Sequence, residues 1–209
     1  MYFSRVPLDV SRRKTQVAMV SPNKIHGAVE EAFCEKQNRN LWRIDQLRGK
    51  SYLLIVSKEK PDLSRIAAQF GFEDDWGESK EYDGLLRRIE KGSYWHFRLT
   101  ANPVHSVWTG EGRGKVAAHT SEKFQLEWLY RQAEKGGFRL SPDRVRVMES
   151  HWRIFTKGGS RQKVRLLEVV FEGTLWVEDA DRFRNALVNG IGREKAYGMG
   201  MLTIMRAGV

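Results

Sequence analysis

A histidine close to the start of a predicted helix is the residue best suited to proton transfer. Ser21 and Pro22 are typical of a helix N-cap and a first helical position, and they place His26 in the first turn of that helix. His26 follows Ile25 and therefore lies at the edge of the predicted buried face. Imidazole accepts or donates a proton near neutral pH, which suits general acid–base catalysis. From position alone, however, a structural or merely exposed histidine is the more common case.

A glycine-rich stretch near the end of the sequence could bind phosphate. Its glycines are Gly190, Gly192, Gly198 and Gly200, and its cations are Arg193 and Lys195. A loop that presents backbone N–H groups together with cations can hold a phosphodiester. A dinucleotide-binding site requires such glycines to follow a strand and open a helix. Here they follow a predicted helix and lead into a strand, which disfavours that function, and Gly190 also fits an ordinary helix C-cap.

Positive charge is concentrated between residues 146 and 165. Six Lys and Arg residues in this segment face the single acid Glu149, and its centre, Gly158-Gly159-Ser160, has the composition of a hairpin turn. Cationic strands with such a tip could enter a nucleic-acid groove. The alternative is a solvated sheet edge, which proteins commonly protect with Lys and Arg. Beside the glycine-rich stretch, the functional interpretation is favoured.

Other chemistries find little support in the sequence. It contains no His-Glu-x-x-His pattern, no EF-hand loop and no cluster of carboxylates at ligand spacing, so we predict no metal site and no cofactor. Cys34 is the only cysteine, which excludes a disulfide framework and a cysteine-based zinc site. Because it lies beside Phe33 in the predicted helix, Cys34 is expected to be a small core residue.

The overall composition is that of a folded, basic protein. The 209 residues carry 36 Lys and Arg against 26 Asp and Glu, a formal charge of +10, and 41% of them are hydrophobic. This surplus favours a polyanionic partner such as nucleic acid, because cations that bind phosphates release counterions. The sequence opens without the apolar segment of a signal peptide, and no apolar run reaches the roughly 18 residues of a transmembrane helix. We therefore expect a cytoplasmic protein with no membrane contact.

Two successive sets of elements are predicted to position these groups. The first set comprises a strand at 2–8, a helix at 22–37, strands at 41–44 and 52–56, a helix at 61–70 and a strand at 83–90. The second comprises a strand at 94–100, a helix at 121–135, strands at 144–156 and 163–178, a helix at 179–188 and a strand at 201–205. Each set follows the βαββαβ order of the ferredoxin-like fold. We therefore predict an α+β protein of two tandem ferredoxin-like domains, residues 1–90 and 91–209.

Three stretches of the sequence match a known family. They are Met1–Val6 (MYFSRV), Phe97–Pro103 (FRLTANP), and Val170–Leu175 (VFEGTL) running on to Gly190–Gly200. With these residues the chain resembles the CasE family, the endoribonucleases that process CRISPR precursor RNA in the Cascade complex. The third stretch is the most specific, since a glycine-rich loop before a short C-terminal strand marks this group.

The resemblance implies a specific reaction. Family members are tandem ferredoxin-like proteins that bind the stem-loop of a CRISPR repeat and cut at its 3′ base without a metal. The ribose 2′-hydroxyl attacks the adjacent phosphate and leaves a 2′,3′-cyclic phosphate and a 5′-hydroxyl. The cut RNA then stays with the protein and is carried into Cascade, so the implied partners are repeat RNA and the other Cascade subunits.

The resemblance also implies roles for particular residues. The family's catalytic histidine corresponds to His26, its groove-binding hairpin to Lys157–Lys163 and its glycine-rich loop to Gly190–Gly200. Some members carry a tyrosine three residues before the histidine, where this chain has Asn23. The residues expected to contact RNA are Arg12, Arg13, Lys24, Lys157, Arg161, Lys163, Arg193 and Lys195.

Two other functions stay open at this point. A non-catalytic RNA-binding subunit of the same assembly would use His26 only as an RNA contact. A more remote alternative is an enzyme that acts on a small nucleotide and uses the glycine-rich loop to hold it. Cleavage of repeat RNA in EDTA distinguishes the first alternative from the endoribonuclease, since only the enzyme cuts.

Overall fold

The first half of the chain forms a four-stranded antiparallel sheet with helices packed against it. The computed structural model describes residues 1–34, 40–108, 110, 112, 114–157 and 162–206. In chain order the first elements are β1 (Tyr2–Pro7), α1 (Arg13–Val20), α2 (Pro22–Glu31), β2 (Leu41–Leu47), β3 (Lys50–Ser57), α3 (Leu63–Phe70), β4 (Glu78–Glu81) and α4 (Asp83–Leu86). The strands lie in the order β2-β3-β1-β4, which is the order of a ferredoxin-like sheet.

The second half repeats this topology with one insertion. Its elements are β5 (Tyr94–Ala101), β6 (Val104–Val107), β7 (Lys115–Ala118), α5 (Glu122–Lys135), β8 (Phe138–Thr156), β9 (Lys163–Val177), α6 (Ala180–Asn189), a 3-10 turn (Lys195–Tyr197) and β10 (Leu202–Arg206). The main sheet has the strand order β10-β5-β9-β8, and β6 and β7 form a separate antiparallel pair. The predicted α+β class with two ferredoxin-like units is confirmed, whereas the domain limits at residues 90 and 91 stay a prediction.

Strand β5 shows how the sequence builds the second sheet. Its residues alternate, so Trp95, Phe97 and Leu99 enter a core that includes Trp128 of α5 and Phe183 of α6. The intervening side chains of β5 lie on the opposite face of the sheet. The alternation predicted for residues 94–100 is therefore confirmed.

The helices of the first half differ in part from those predicted. Helix α1 begins inside the basic stretch 11–15, for which no helix is predicted, and it buries only Thr15 and Ala18, so its apolar periodicity is weak. Helix α2 begins at Pro22 as predicted but ends at Glu31, and residues 35–37 of the predicted helix lie outside the described residues. Ser21 occupies the N-cap position without a side-chain capping hydrogen bond.

Three further expectations about individual segments are wrong. Residues 83–90 are not a strand, because Leu86 and Ile89 are buried at a helical spacing within α4 and the turn that follows it. The edge strand is instead β4, which pairs with β1 and is absent from the prediction, as are β6 and β7. Cys34 is exposed rather than buried, because the chain has left α2 three residues earlier.

The two halves share one hydrophobic core. Leu41, Leu54 and Val56 of the first sheet belong to the same buried cluster as Trp128 and Phe171 of the second half. The opposite face of the first sheet packs against its own helices in a second cluster. The first sheet is therefore buried on both faces, which ties its orientation to the second half.

A buried arginine forms hydrogen bonds with both sheets where they meet. Arg43 on β2 donates Nε and Nη2 to the two carboxylate oxygens of Asp45 at 2.8 and 2.6 Å. Its Nη1 donates to the carbonyl oxygens of Arg98 on β5 at 3.1 Å and of Met201 at 2.8 Å. Nη2 also donates to Thr203 Oγ1 on β10 at 2.7 Å. One guanidinium therefore bonds to strands of both sheets.

Candidate functional site

His26 has one ring nitrogen shielded by protein and the other open to solvent. Its side chain is 38% exposed, and Glu30 Oε1 lies 4.0 Å from Nδ1. Nδ1 itself has no solvent contact and forms no hydrogen bond with the described residues. The exposed part of the ring therefore carries Nε2, which is the nitrogen that a ligand can reach. The negatively charged Glu30 carboxylate attracts the imidazole ring whenever the ring carries a second proton and is positively charged.

The helix that carries His26 lies against the glycine-rich loop. Ile25, Ala28 and Val29 bury one face of α2 in the core of the first half. Other flanks of α2 contact α1, α3 and the 3-10 turn Lys195–Tyr197, which lies inside the glycine-rich loop. Two segments that are about 170 residues apart in the sequence therefore meet.

The base of the basic hairpin meets the same loop. Strands β8 and β9 pair as far as Thr156 and Lys163, and Phe155 and Leu166 near the end of this ladder form a small cluster with Met199. The ring of Tyr197 packs edge-on against Phe155, with 4.9 Å between the centroids. The predicted turn residues 158–161, including Arg161, lie outside the described residues.

A second contact ties the hairpin to the start of the His26 helix. Arg153 on β8 donates Nη2 to the carbonyl oxygen of Met19 at 2.6 Å. Its Nη1 bonds to Glu168 Oε2 on β9 at 2.7 Å, and Glu168 also lies 3.5 Å from His151. Met19 is near the end of α1, three residues before α2 begins. Hairpin, glycine-rich loop and α2 therefore form one connected region.

The glycines of the loop are explained by close packing. Gly190, Gly192, Gly198 and Gly200 all have positive φ angles between 72° and 88°. A Cβ on Gly198 would lie 2.6 Å from the Trp42 ring, and one on Gly200 would lie 2.5 Å from the carbonyl oxygen of Ile191. Within the loop, Lys195 Nζ donates to the Gly192 carbonyl oxygen at 2.5 Å. The glycines thus shape the loop, and their contact with phosphate stays a prediction.

Helix α6 ends directly before this loop. Asp179 caps its start by accepting from the backbone N–H groups of Asp181 at 3.1 Å and Arg182 at 3.0 Å. The backbone and side-chain hydrogen bonds from Arg182 hold the pKa of the Asp179 carboxyl below its usual range. At the other end, Gly190 N donates to the Ala186 carbonyl oxygen at 2.9 Å, which confirms Gly190 as the helix C-cap.

The predicted RNA-binding residues of the first half have different environments. Arg13, Lys14, Asn23 and Lys24 line a groove of about 550 Å³ beside α1 and α2, and their cationic groups are exposed. Arg12 instead donates to the carbonyl oxygens of Gly71 at 2.9 Å and Ala68 at 3.3 Å, so it stabilises the end of α3. Its contact with RNA stays a prediction.

The cations of the second half lie at the hairpin and the loop. Lys157 and Lys163 are exposed where the two long strands end, and Lys157 N donates to the Gln162 carbonyl oxygen at 3.0 Å. Arg193 is exposed in the glycine-rich loop and forms no hydrogen bond or ion pair with the residues that the structure describes. The hairpin and the loop therefore both present positive charge to solvent.

Two features near the site are absent from the sequence-based prediction: the acid Glu30, and the contact between Trp152 and Arg165, one of the six cations of the basic segment. Glu30 lies four residues after His26, a spacing that places two side chains on the same helix face and could have revealed it. Arg165 lies over the exposed ring of Trp152, with 4.1 Å between its guanidinium carbon and the ring centroid. That pair joins two strands, so no local spacing indicates it.

The described part of the chain holds no group of three or more His, Cys, Asp or Glu side chains arranged to bind a metal ion. Among the same residues, none of the helices has the length and apolar character needed to cross a membrane.

Fold and site together define a tandem ferredoxin-like protein with an exposed histidine among cationic segments of both halves. The model of a family described as "CRISPR associated protein" matches residues 1–206. The chain belongs to that family.

Individual relatives agree with this assignment. The chain is 27% identical to the CRISPR-associated endoribonuclease Cse3 of Thermus thermophilus over 98% of this chain and 99% of that protein. It is also 27% identical to the Cascade subunit CasE of Escherichia coli, over 56% of this chain and 60% of that one. A solved structure of Cse3 bound to a 19-nucleotide RNA superposes with a TM-score of 0.80 at 24% identity, covering 98% of this chain and 100% of that one, which shows a shared fold.

Proposed function

We propose that this protein is an endoribonuclease that cuts precursor CRISPR RNA at the repeat stem-loop and keeps the product within Cascade. The observation that carries the proposal is His26, whose Nε2 is open on a helix packed against the glycine-rich loop. Its relative Cse3, matched over nearly its full length, is named an endoribonuclease, and its relative CasE is named a Cascade subunit. The first name supports RNA cleavage and the second supports the other Cascade subunits as partners, whereas a cytoplasmic site of action stays a prediction.

The chemistry of the proposed reaction requires few groups. The ribose 2′-hydroxyl loses its proton and attacks the adjacent phosphorus, and the bond from phosphorus to the 5′-oxygen breaks. The leaving 5′-oxygen takes up a proton, so the products are a 2′,3′-cyclic phosphate and a 5′-hydroxyl. Neutral His26 can accept the first proton at Nε2, or protonated His26 can supply the second. The scheme uses no metal ion.

Position 23 limits how much of this chemistry the helix supplies. Asn23 has an amide that neither accepts nor donates a proton near neutral pH, so His26 is the acid–base residue of α2 in this proposal. The second proton transfer then falls to water or to a group other than Asn23. Exposed cations such as Lys24 and Lys163 stabilise the negative charge that develops on the phosphate.

RNA binding is proposed to use the cationic groups on both sides of α2. Lys157 and Lys163 lie at the end of the hairpin with Arg161 predicted between them, and Arg193 projects from the loop. On the other flank, Arg13 and Lys14 line the groove beside α1. Double-stranded RNA is recognised largely by its shape and backbone, which suits such scattered cations.

Cleavage of the repeat RNA by purified protein tests this function. The wild-type protein and the variant His26→Ala are each incubated in EDTA with the stem-loop RNA of the host's own repeat, and the product ends are mapped. We expect the wild type to cut at one phosphate and His26→Ala to bind the RNA without cutting it. A variant of another exposed histidine, His105→Gln, serves as the matched control and should cut normally.

The outcomes separate the rival functions. A wild type that binds repeat RNA without cutting it would identify a non-catalytic RNA-binding subunit. Unchanged cleavage by His26→Ala would overturn the catalytic role of His26 but not the endoribonuclease function. Stabilisation by mononucleotides, without RNA affinity, would favour a nucleotide-binding enzyme. Finally, an RNA with deoxyribose at the cut nucleotide should bind and remain intact, since it lacks the attacking hydroxyl.

A further inference from the structure

The second sheet has one face that its helices do not cover. Helices α5 and α6 pack on the face formed by Trp95, Phe97 and Leu99. The opposite face, here called the open face, is formed on the central strands β5 and β9 by Tyr94, His96, Arg98, Glu172, Thr174 and Trp176. A groove of about 840 Å³ is lined by all of these side chains except Trp176, and none of the residues proposed for RNA cleavage lines it.

Aromatic and guanidinium groups form a row across one end of the open face. Tyr94 on β5 pairs directly with Trp176 on β9, and their ring centroids are 5.9 Å apart at a tilt of 36°. Arg139 on β8 pairs with Trp176 and places its guanidinium carbon 5.0 Å from that ring. Arg144, also on β8, donates Nη1 to the Tyr94 hydroxyl at 2.7 Å. Each of the two rings is therefore in contact with one guanidinium group from β8.

Polar and charged groups continue along the groove. His96 is exposed and pairs with Met205, whose side chain is 67% exposed. Further along, Arg98 bonds to Glu172, and Arg146 opposite Glu172 is exposed, without a hydrogen bond or ion pair to the described residues. Arg98 also lines the cleft of about 550 Å³ between the two sheets, so one side chain lines both the groove and the cleft.

We propose that the open face binds single-stranded RNA. Sheets of this topology bind unpaired RNA by stacking bases on aromatic side chains of the sheet surface, and Tyr94 and Trp176 occupy the two central strands here. Bases of any identity can stack, so the binding tolerates different sequences. Arg146 pairs with a phosphate of the bound strand, and Arg139 and Arg144 do the same by leaving their exposed carboxylate partners, Glu178 at 3.4 Å and Asp143 at 3.9 Å. This second RNA site goes beyond the proposed cleavage of a stem-loop.

The composition of the open face favours RNA over a protein partner. Protein interfaces have few charged residues at their centre, whereas Arg98 and Glu172 lie in the middle of this face. Its exposed apolar side chains, Met148 and Met205, lie on the outer strands β8 and β10. The pair of rings also favours unpaired bases over an intact duplex, because bases inside a duplex are already stacked on one another.

The stacking pair is distant from the proposed cleavage site. The glycine-rich loop joins β5 where Gly200 N donates to the Thr100 carbonyl oxygen at 2.6 Å. Thr100 is six residues beyond Tyr94 along the same strand, which corresponds to about 20 Å at the usual rise of a strand. Substitutions at Tyr94 therefore leave the surroundings of His26 unchanged.

Binding of a short unstructured RNA tests the proposal. The probe is a labelled oligouridine of about eight nucleotides, within the site size of one single-strand-binding fold, and its affinity is measured by fluorescence anisotropy. We expect wild-type binding to fall about tenfold in Tyr94→Leu and in Trp176→Leu, since stacking on one aromatic side chain is worth roughly that factor or more. Trp108→Leu removes an exposed tryptophan elsewhere and should leave the affinity unchanged.

Stem-loop cleavage by the same preparations shows that each variant is folded. Normal cleavage with weakened oligouridine binding supports the proposal, as does a similar loss in Arg146→Gln, which removes no buried group. Absence of oligouridine binding by the wild type overturns it, and so does equal affinity of Tyr94→Leu and wild type. A wild type that binds oligouridine but cuts nothing would support this site and overturn the proposed function, so the two fail separately.

Discussion

Replacing Arg43 with methionine should destabilise the whole protein, because it leaves a buried carboxylate without its main partner. Asp45 is only 7% exposed, and its remaining cation, Arg98, places Nε 3.5 Å away, too far for a strong hydrogen bond. The substitution also removes the donor that satisfies the carbonyl oxygen of Met201. Methionine fills a similar volume, so lost packing contributes little.

The magnitude follows from the burial of this pair. Removing one partner of a buried ion pair costs about 3–5 kcal/mol of unfolding free energy, because the other charge stays buried without compensation. For a chain of this length, each kcal/mol shifts the melting temperature by about 2–4 °C. We therefore expect Arg43→Met to lower the melting temperature by about 6–20 °C. Removing both charges in Arg43→Met/Asp45→Leu should restore most of the lost stability.

Thermal and urea unfolding of the purified variants measure these differences. Arg65→Met is the matched control, since Arg65 also pairs with a carboxylate, Asp62 at 3.1 Å, and with a backbone carbonyl, but at an exposed position. Its cost should be about 0–1 kcal/mol. A loss in Arg43→Met no larger than in Arg65→Met would refute the reasoning. A double variant as unstable as the single one would show that uncompensated charge is not the cause.

Two other predictions concern the glycine-rich loop and the helix before it. Gly198→Ala should cost about 1–4 kcal/mol, because its Cβ would meet the Trp42 ring at 2.6 Å with φ at +82°. Gly84→Ala, where a Cβ meets nothing within 4 Å, is the control in the same unfolding assay, and an equal cost would contradict the packing argument. Asp179→Asn should lower stability near neutral pH, because hydrogen bonds from Arg182 lower the pKa of the folded-state carboxyl. The difference in stability between the wild type and Asp179→Asn is fully present above the pKa that the carboxyl has in the unfolded chain. It is lost as the pH falls through the lowered pKa of the folded protein. Melting curves that differ equally at neutral and strongly acid pH would contradict it.

Features that depend on neighbours in sequence are those that the sequence predicts. One such feature is the alternation of apolar residues in β5, at Trp95, Phe97 and Leu99. Another is the capping of α6 by Asp179 and Gly190. Each depends on a few residues that are close together in the sequence. The order of elements around the glycine-rich loop is equally local, and it is enough to disfavour a dinucleotide site.

Features that depend on contacts between distant parts of the chain could not be predicted from the sequence. Arg43 and Asp45 alternate along β2 as exposed polar residues of an edge strand would, and only the docking of the second sheet buries them. Helix α1 buries just two side chains, so its short apolar stripe carries almost no periodic signal. The glycines of the loop are required by Trp42 and by loop backbone, contacts that no spacing reveals.

The hydrogen bond from Arg153 to Met19 links the basic hairpin to the segment that leads into helix α2. Arg153 is fixed in strand β8, and the chain needs only Val20 and Ser21 to pass from Met19 into the helix. The position of β8 therefore helps to set the backbone from which α2 begins. A displacement of β8 at Arg153 would reach the start of the helix that carries His26 through this single hydrogen bond.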